Sequence, residues 1–227
     1  YIPRGTNRAI HYYTLSAKQN NRDAQYCLSR IYLDGLFVNQ DIQKGLNYLA
    51  QSSDNGHLDG NFSLGFIYHE GKFIEQDINK AIKLYKKSSS FYHQYSKNNL
   101  GVIYKNGFGE IIEQNFSNAE IYFTEAIKEK NDSLSMYNLA NLYIYHLDNE
   151  ANINKSIELL IKSFEQKFKP SMILLCIILF KKHGTKYVNM KNELSKITDE
   201  KLNLFPNIYQ SIKFLGLENQ DEFNKYY

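Results

Sequence analysis

One block of sequence recurs at a spacing of 36 residues, and that period decides what the chain can fold into. Residues 24–35, Ala-Gln-Tyr-Cys-Leu-Ser-Arg-Ile-Tyr-Leu-Asp-Gly, return as residues 60–71, ending Leu64-Gly65-Phe66-Ile67-Tyr68-His69-Glu70-Gly71. They return again as Leu100-Gly101-Val102-Ile103-Tyr104-Lys105-Asn106-Gly107. A fourth copy, Leu139-Ala140-Asn141-Leu142-Tyr143, is displaced by 39 residues, and a fifth, Leu175-Cys176-Ile177-Ile178-Leu179, follows 36 later. Beside it runs a second set of columns: Asp41-Ile42-Gln43-Lys44-Gly45, Asp77-Ile78-Asn79-Lys80-Ala81, Asn115-Phe116-Ser117-Asn118-Ala119 and Asn152-Ile153-Asn154-Lys155-Ser156. A period of this length means stacked units, none of which can bury its apolar face alone. Ala9 lies 36 residues before Gly45, so the chain is expected to begin inside the loop of an earlier repeat.

Each half-repeat reads as a helix. Leu28, Ile31 and Tyr32 stand at i, i+3 and i+4, the spacing of one helical face. Gly35, Gly71 and Gly107 follow that face, where a glycine reaches the left-handed conformation that ends a helix. Asp41, Asp77, Asn115 and Asn152 precede the next face and are expected to cap its free N–H groups. Small residues form two columns, Ser29, Gly65, Gly101, Ala140, Cys176 and Ala9, Gly45, Ala81, Ala119, Ser156, as close helix approach requires. Tyr32, Tyr68, Tyr104 and Tyr143 form another column. If that column is core, Tyr68→Ala costs roughly 3–5 kcal/mol.

The pattern Leu-small-x-x-Tyr-x-x-Gly, then an apolar loop residue, Asp, Lys-Ala and a small pair (Ser16-Ala17, Ser52-Ser53, Ser88-Ser89), resembles the Sel-1-like repeat, a relative of the tetratricopeptide repeat. The resemblance covers residues 1–183: a partial repeat 1–20, repeats 21–56, 57–92, 93–131 and 132–168, and a degenerate repeat from 169. The third copy has two extra residues around Gly109-Glu110-Ile111, the fourth has His146 where Gly is expected, and the fifth has Leu179 for Tyr. Residues 184–227 read as a degenerate second helix and C-terminal capping helices, 189–201 and 206–217. The resemblance implies an all-α fold, a right-handed α/α superhelix of about five two-helix repeats of ~36 residues. It also implies a non-catalytic scaffold or adaptor that binds a protein or peptide. One form would be the regulatory arm of a larger signalling protein such as a protein kinase. The alternative is a lumenal adaptor subunit of a ubiquitin-ligase complex.

Composition narrows the partners. Lys+Arg 27 against Asp+Glu 24 gives a net charge of +3, too balanced for a nucleic-acid-binding domain. Two cysteines, Cys27 and Cys176, cannot build a disulfide framework; they fit a reducing compartment, or an oxidising one where they sit buried and free, and a cytoplasmic setting is expected. The start, Tyr1-Ile2-Pro3-Arg4, has no signal-peptide apolar region and no Met, which predicts a segment of a longer protein. The strongest apolar run, residues 172–180, is nine long, against roughly 20 for a membrane span. A buried helix is expected there, with no membrane insertion and a monomeric chain.

No reaction centre is legible. His11, His57, His69, His93, His146 and His183 are scattered, with no pair at i, i+4 beside a carboxylate, so no metal site is expected. Gly107-Phe108-Gly109 follows a helix and lacks the strand–loop–helix context of a phosphate loop. Ser88-Ser89-Ser90 is the small pair plus one residue, and Lys86-Lys87 and Lys181-Lys182 read as solvated faces. The glycosylation-type sequences at Asn61, Asn115, Asn131 and Asn154 read as chance in an Asn- and Ser-rich chain. Neither a catalytic residue nor a cofactor is expected.

A solenoid leaves one long concave face, which by resemblance to tetratricopeptide packing is lined by the first helix of each repeat. Its lining positions are Tyr26, Arg30 and Leu33; Phe62, Phe66 and His69; Asn98, Val102 and Lys105; Tyr137, Asn141 and Ile144. They vary between copies while the neighbouring columns hardly do. Aromatic rings mixed with Arg and Lys suit protein recognition. With Tyr32, Tyr68, Tyr104 and Tyr143 assigned to the core, Tyr26 and Tyr137 stand out as contact candidates.

Overall fold

The sequence alternates apolar helical faces with short glycine- and Asx-marked breaks, and the chain turns at each of them. The computed structural model describes residues 6–35, 37–89, 93–147 and 150–183. Within them run α1 (Thr6–Ala17), α2 (Arg22–Asp34), α3 (Ile42–Asp54), α4 (Leu58–Glu70), α5 (Ile78–Ser89), α6 (Gln94–Asn106), α7 (Phe116–Lys130), α8 (Ser133–Tyr145), α9 (Glu150–Glu165) and α10 (Lys169–His183). The expected capping segments 189–201 and 206–217, and the side chain of Cys176, lie outside the described residues. The fold is all-α and built of two-helix repeats, as the period demands.

Side-chain bonds show how each pair closes. Ser52 Oγ, near the end of α3, donates to the Arg22 carbonyl at the start of α2 (2.8 Å). Ser88 does the same to Leu58 (3.1 Å) and Ser163 to Ser133 (2.6 Å). A bond from the last turn of the second helix to the first turn of the first requires an antiparallel pair. The third pair has Ala126 in this column and no hydroxyl to give. There Lys97 of α6 joins Glu125 (3.3 Å) and Glu129 of α7 instead.

The chain divides into two compact units, with the boundary between Glu129 and Lys130. In the first, Leu28, Leu49, Ile78, Tyr85, Leu100 and Ile103 are among the buried core side chains. In the second, Ile157, Leu160, Ile161, Leu174 and Leu175 build the core with Ala140. The small-residue columns sit where helices touch. A Cβ on Gly101 would lie 2.5 Å from Phe123 Cε1, and one on Gly45 would lie 2.7 Å from Leu33 Cγ. Ser29, Ala81, Ala119, Ala140 and Ser156 occupy the equivalent buried positions, whereas Ala9 is exposed, with no first helix of an earlier repeat among the described residues to pack on it.

Capping follows the repeat with two departures. Asp41, Asp77 and Asn115 accept the N–H groups of Lys44, Lys80 and Asn118, each at 2.9 Å. Asn152 does not cap, contrary to expectation. Helix α9 starts at Glu150, three residues before the Ile153 that a cap at Asn152 would give, and the Asn152 amide inside its first turn donates to the Leu147 carbonyl (2.7 Å). Gly35 (φ 65°) and Gly71 (φ 66°) close α2 and α4 in the left-handed conformation. Gly107 departs, at φ 67° and ψ 178°, a region open essentially to glycine alone. The two extra residues of the third repeat leave the helix axis at this point. His146 ends α8 at φ −128°, where a side chain is tolerated.

The tyrosine column is not the innermost layer. Tyr143 is buried, but Tyr32, Tyr68 and Tyr104 are only partly covered. Lysines from the second-helix column lie over three of these rings: Lys44 over Tyr32 (4.1 Å), Lys80 over Tyr68 (5.0 Å) and Lys155 over Tyr143 (5.8 Å). The third copy has Asn118 at the lysine position, and its Tyr104 stacks on Tyr122 at 5.6 Å. Among the described residues of the first unit, the fully buried aromatic side chains are Tyr85 and Phe123.

Candidate protein-binding surface

Within the first unit, α2, α4 and α6 are joined by a ladder that the sequence reading did not foresee. Asn21, His57 and His93 are their N-caps, and Asp132 is that of α8. His57 Nδ1 accepts the Gly60 N–H (3.0 Å) and His93 Nδ1 accepts the Ser96 N–H (3.3 Å). An unprotonated imidazole nitrogen thus does what the Asn21 oxygen does for Ala24 (2.9 Å). The opposite nitrogen reaches back one repeat: His57 Nε2 to Asp23 (3.3 Å) and His93 Nε2 to Asp59 (3.2 Å). Each imidazole also meets a ring of that preceding repeat, Tyr26 at 4.5 Å and Phe62 at 4.8 Å. The signal was present as a cap residue two positions before an aspartate, repeated at 36.

Burial holds the His57 imidazole below its ordinary range, chiefly by desolvation. Protonation at Nδ1 would also break the cap. The neutral form is therefore favoured on folding, and the unfolded chain binds more protons. This contribution is complete above pH of about 6.5 and is lost as pH falls from there through the lower folded value. His57→Asn keeps a capping oxygen and removes the titration. Its melting temperature is expected to fall less than wild type's between about pH 7.5 and 5.5; parallel slopes would refute the role.

Around Phe62 of α4 lies a cluster of rings. Tyr85 is 5.9 Å away, Tyr95 6.1 Å and Phe66 6.5 Å. Phe66 is 41% exposed and Tyr95 49%. Tyr95 was missed because its column carries Asp23 and Asp59 in the other copies; the break in that column was the signal. Arg30 stands at the Phe66 register of α2, exposed and paired with Asp34 (3.1 Å).

The remaining positions expected in the first unit divide by burial. Tyr26 is half-buried against His57, with its hydroxyl 3.5 Å from Ser63 Oγ. Leu33 and Asn98 are buried, Leu33 by its contact with Gly45, so neither lies on an open face. His69 is half-buried, with Nδ1 3.4 Å from the Tyr85 hydroxyl, and desolvation pushes its imidazole down. Val102 and Lys105 are half-buried, and burial lowers the Lys105 ammonium. In the second unit Tyr137 is half-buried and edge-on to Phe168 (5.6 Å), Asn141 is half-buried, and Ile144 is buried in the core. Tyr26, Phe62 and Tyr137 thus share one arrangement, an aromatic ring against the cap position of the next repeat.

A model of the Sel1 repeat matches residues 1–21, 22–57, 58–90, 94–131 and 133–168. The chain belongs to the Sel1 repeat family. Sel1 repeat proteins generally mediate protein–protein interaction, and their scaffold is generally non-catalytic. Among solved structures, the chain is similar to a protective antigen present in uropathogenic Escherichia coli strains and displaying an SLR fold. The identity is 23% and the TM-score 0.73, over 92% of this chain and 44% of that one. The chain therefore spans less than half of that protein's length. It is also similar to a Sel1 repeat protein from Oxalobacter formigenes, at 21% identity and TM-score 0.51, over 56% of this chain and 94% of that one. These likenesses concern the fold alone. No curated protein matches the sequence. No helix among the described residues of this Sel1 repeat chain is long and apolar enough to cross a membrane.

Proposed function

We propose that this Sel1 repeat chain is a scaffold that docks a partner protein or peptide on the face carrying Arg30, Phe62, Phe66 and Tyr95. The observation that carries this is the ring cluster around Phe62, whose outer members Phe66 and Tyr95 stay 41% and 49% exposed. Aromatic rings and arginine are residue types enriched among interface hot spots, and Arg30 holds on α2 the register that Phe66 holds on α4. Tyr137 and Asn141 offer a separate contact on the second unit. We read the chain as a monomeric, cytoplasmic arm of a larger signalling protein. A lumenal degradation adaptor is the alternative reading: of its four glycosylation-type sequences Asn61 is buried and accepts a hydrogen bond from Ser53 (2.8 Å), whereas Asn115, Asn131 and Asn154 are exposed, so occupancy of those three would favour it.

Affinity purification with mass spectrometry tests this by comparing the wild-type protein with Arg30→Ala/Phe66→Ala. The variant is expected to melt nearly as wild type does, since neither side chain is core. It should bind the recovered partner about tenfold or more weakly. A partner held equally by both proteins would overturn the assignment of the face.

A further inference from the structure

Three equivalent loop positions of the first unit share an unusual backbone. Phe37 has φ 67°, Phe73 φ 71° and Gly109 φ 52°, at steps of 36 residues. Glycine takes this left-handed conformation freely, whereas a bulky side chain is strained there. The third repeat keeps the glycine; the first two carry phenylalanine. Packing does not compensate, because Phe37 is 50% exposed and Phe73 42%. The loop's packing comes from the next residue instead, as Ile74 lies against the Leu33–Leu49–Ile67 cluster. In the third loop Ile111 is 58% exposed while Ile112 packs inward.

The frame that presents these side chains is fixed. The side-chain amides of Gln40, Gln76 and Gln114 donate to the carbonyls of Leu33 (2.6 Å), His69 (2.7 Å) and Lys105 (2.7 Å). The backbone N–H groups of Asp41, Asp77 and Asn115 bond the carbonyls of Tyr32, Tyr68 and Tyr104. A loop whose feet are clamped this way has less backbone freedom to lose on binding.

We propose that these loops form a second docking edge, on which Phe37, Phe73 and Ile111 seat a basic, apolar segment of a partner protein. Charge chooses the occupant. The loops carry Asp41, Glu75, Asp77, Glu110 and Glu113 against Lys72, in a chain whose net charge is +3. Lys80 pairs with Asp77 (3.2 Å), and Lys72 lies over the Phe73 ring (4.9 Å). Tyr68, Ile74, Glu75, Gln76, Asp77 and Lys80 line a cleft of about 430 Å³, large enough for a lysine or arginine side chain; Lys80 and Asp77 pair with each other there, which leaves Glu75 as the carboxylate for an incoming cation. An acidic rim disfavours an anionic membrane and disfavours the same edge of a second copy. The proposal does not depend on the Arg30–Phe66 face.

A display library of random 12-residue peptides, selected on the full chain, tests the edge. Enriched peptides should combine Lys or Arg with bulky apolar residues and weaken as salt rises. Their affinity should drop at least tenfold on Phe37→Gly/Phe73→Gly and stay unchanged on Arg30→Ala/Phe66→Ala. The glycine variant should melt no lower than wild type, which separates lost binding from lost folding. The proposal is overturned if nothing is enriched, if the peptides lack basic residues, or if they bind the glycine variant equally. It is equally overturned if wild type dimerises, or binds anionic vesicles, in a way that the glycine variant does not.

Discussion

Tyr85→Ala is expected to lower the stability of the first unit by about 3–5 kcal/mol. Its ring is fully buried and packs with Ile78, Ile82, Leu100 and Ile103. Its hydroxyl is held as well: the Asn99 amide donates to it (3.1 Å), and burial pushes its ionisation up. Truncation therefore opens a cavity and strands a donor. Tyr85→Phe isolates the second part, at about 1 kcal/mol. Tyr68→Ala is the informative contrast. Tyr68 borders an open cleft under Lys80, so water fills the space it vacates and the cost drops to about 1–2 kcal/mol. Chemical denaturation of the three variants checks the ranking. Equal losses for Tyr68→Ala and Tyr85→Ala would restore the tyrosine column to the core.

Gly101→Val should cost about 3 kcal/mol through overpacking. The first added carbon alone would approach Phe123 Cε1 to 2.5 Å, and that ring is fully buried with no room to turn. Valine is a better helix former than glycine, so intrinsic propensity predicts the opposite sign. Shrinking the partner should recover part of the loss. In a double-mutant cycle, Gly101→Val with Phe123→Leu is expected to be more stable than the two single losses predict by addition. Strict additivity would mean that the two positions do not share the contact.

The architecture was legible because repetition displays it. A column such as Gly65–Gly101–Ala140 shows a constraint several times over within one chain, and the structure places each member at a helix contact. Contacts between different columns are marked more faintly. The His57–Asp23 and His93–Asp59 links span 34 residues and join unlike positions, so only the recurrence of a cap residue two positions before an aspartate announced them. Tyr85 was hidden for another reason: its column holds Leu49 in the preceding repeat, and aromaticity alone could not rank it above Tyr68. Asn152 looked like a cap because its neighbours repeat, but helix extension to Glu150 depends on residues outside the pattern. Of the candidate binding positions, the exposed ones matched a first-helix register. Leu33 and Ile144, five residues after the Leu, fell inward because that register also meets the second helix, and Asn98 is buried at the register that Tyr26 and Phe62 hold in the preceding copies.

The glutamine latches bear on how such a chain can change. In the third repeat, Gln114 still reaches the Lys105 carbonyl and Asn115 still reaches Tyr104, although two more residues lie between α6 and α7 than between α2 and α3 or between α4 and α5. The surplus is taken up in a small bulge, where the Phe108 N–H meets the Ile112 carbonyl (2.8 Å). Both feet of the loop are clamped, so its length is uncoupled from the register of the helices. The tip around Gly109 is thus a port where new sequence can be spliced in, by evolution or by an engineer, while the layers beneath keep their places.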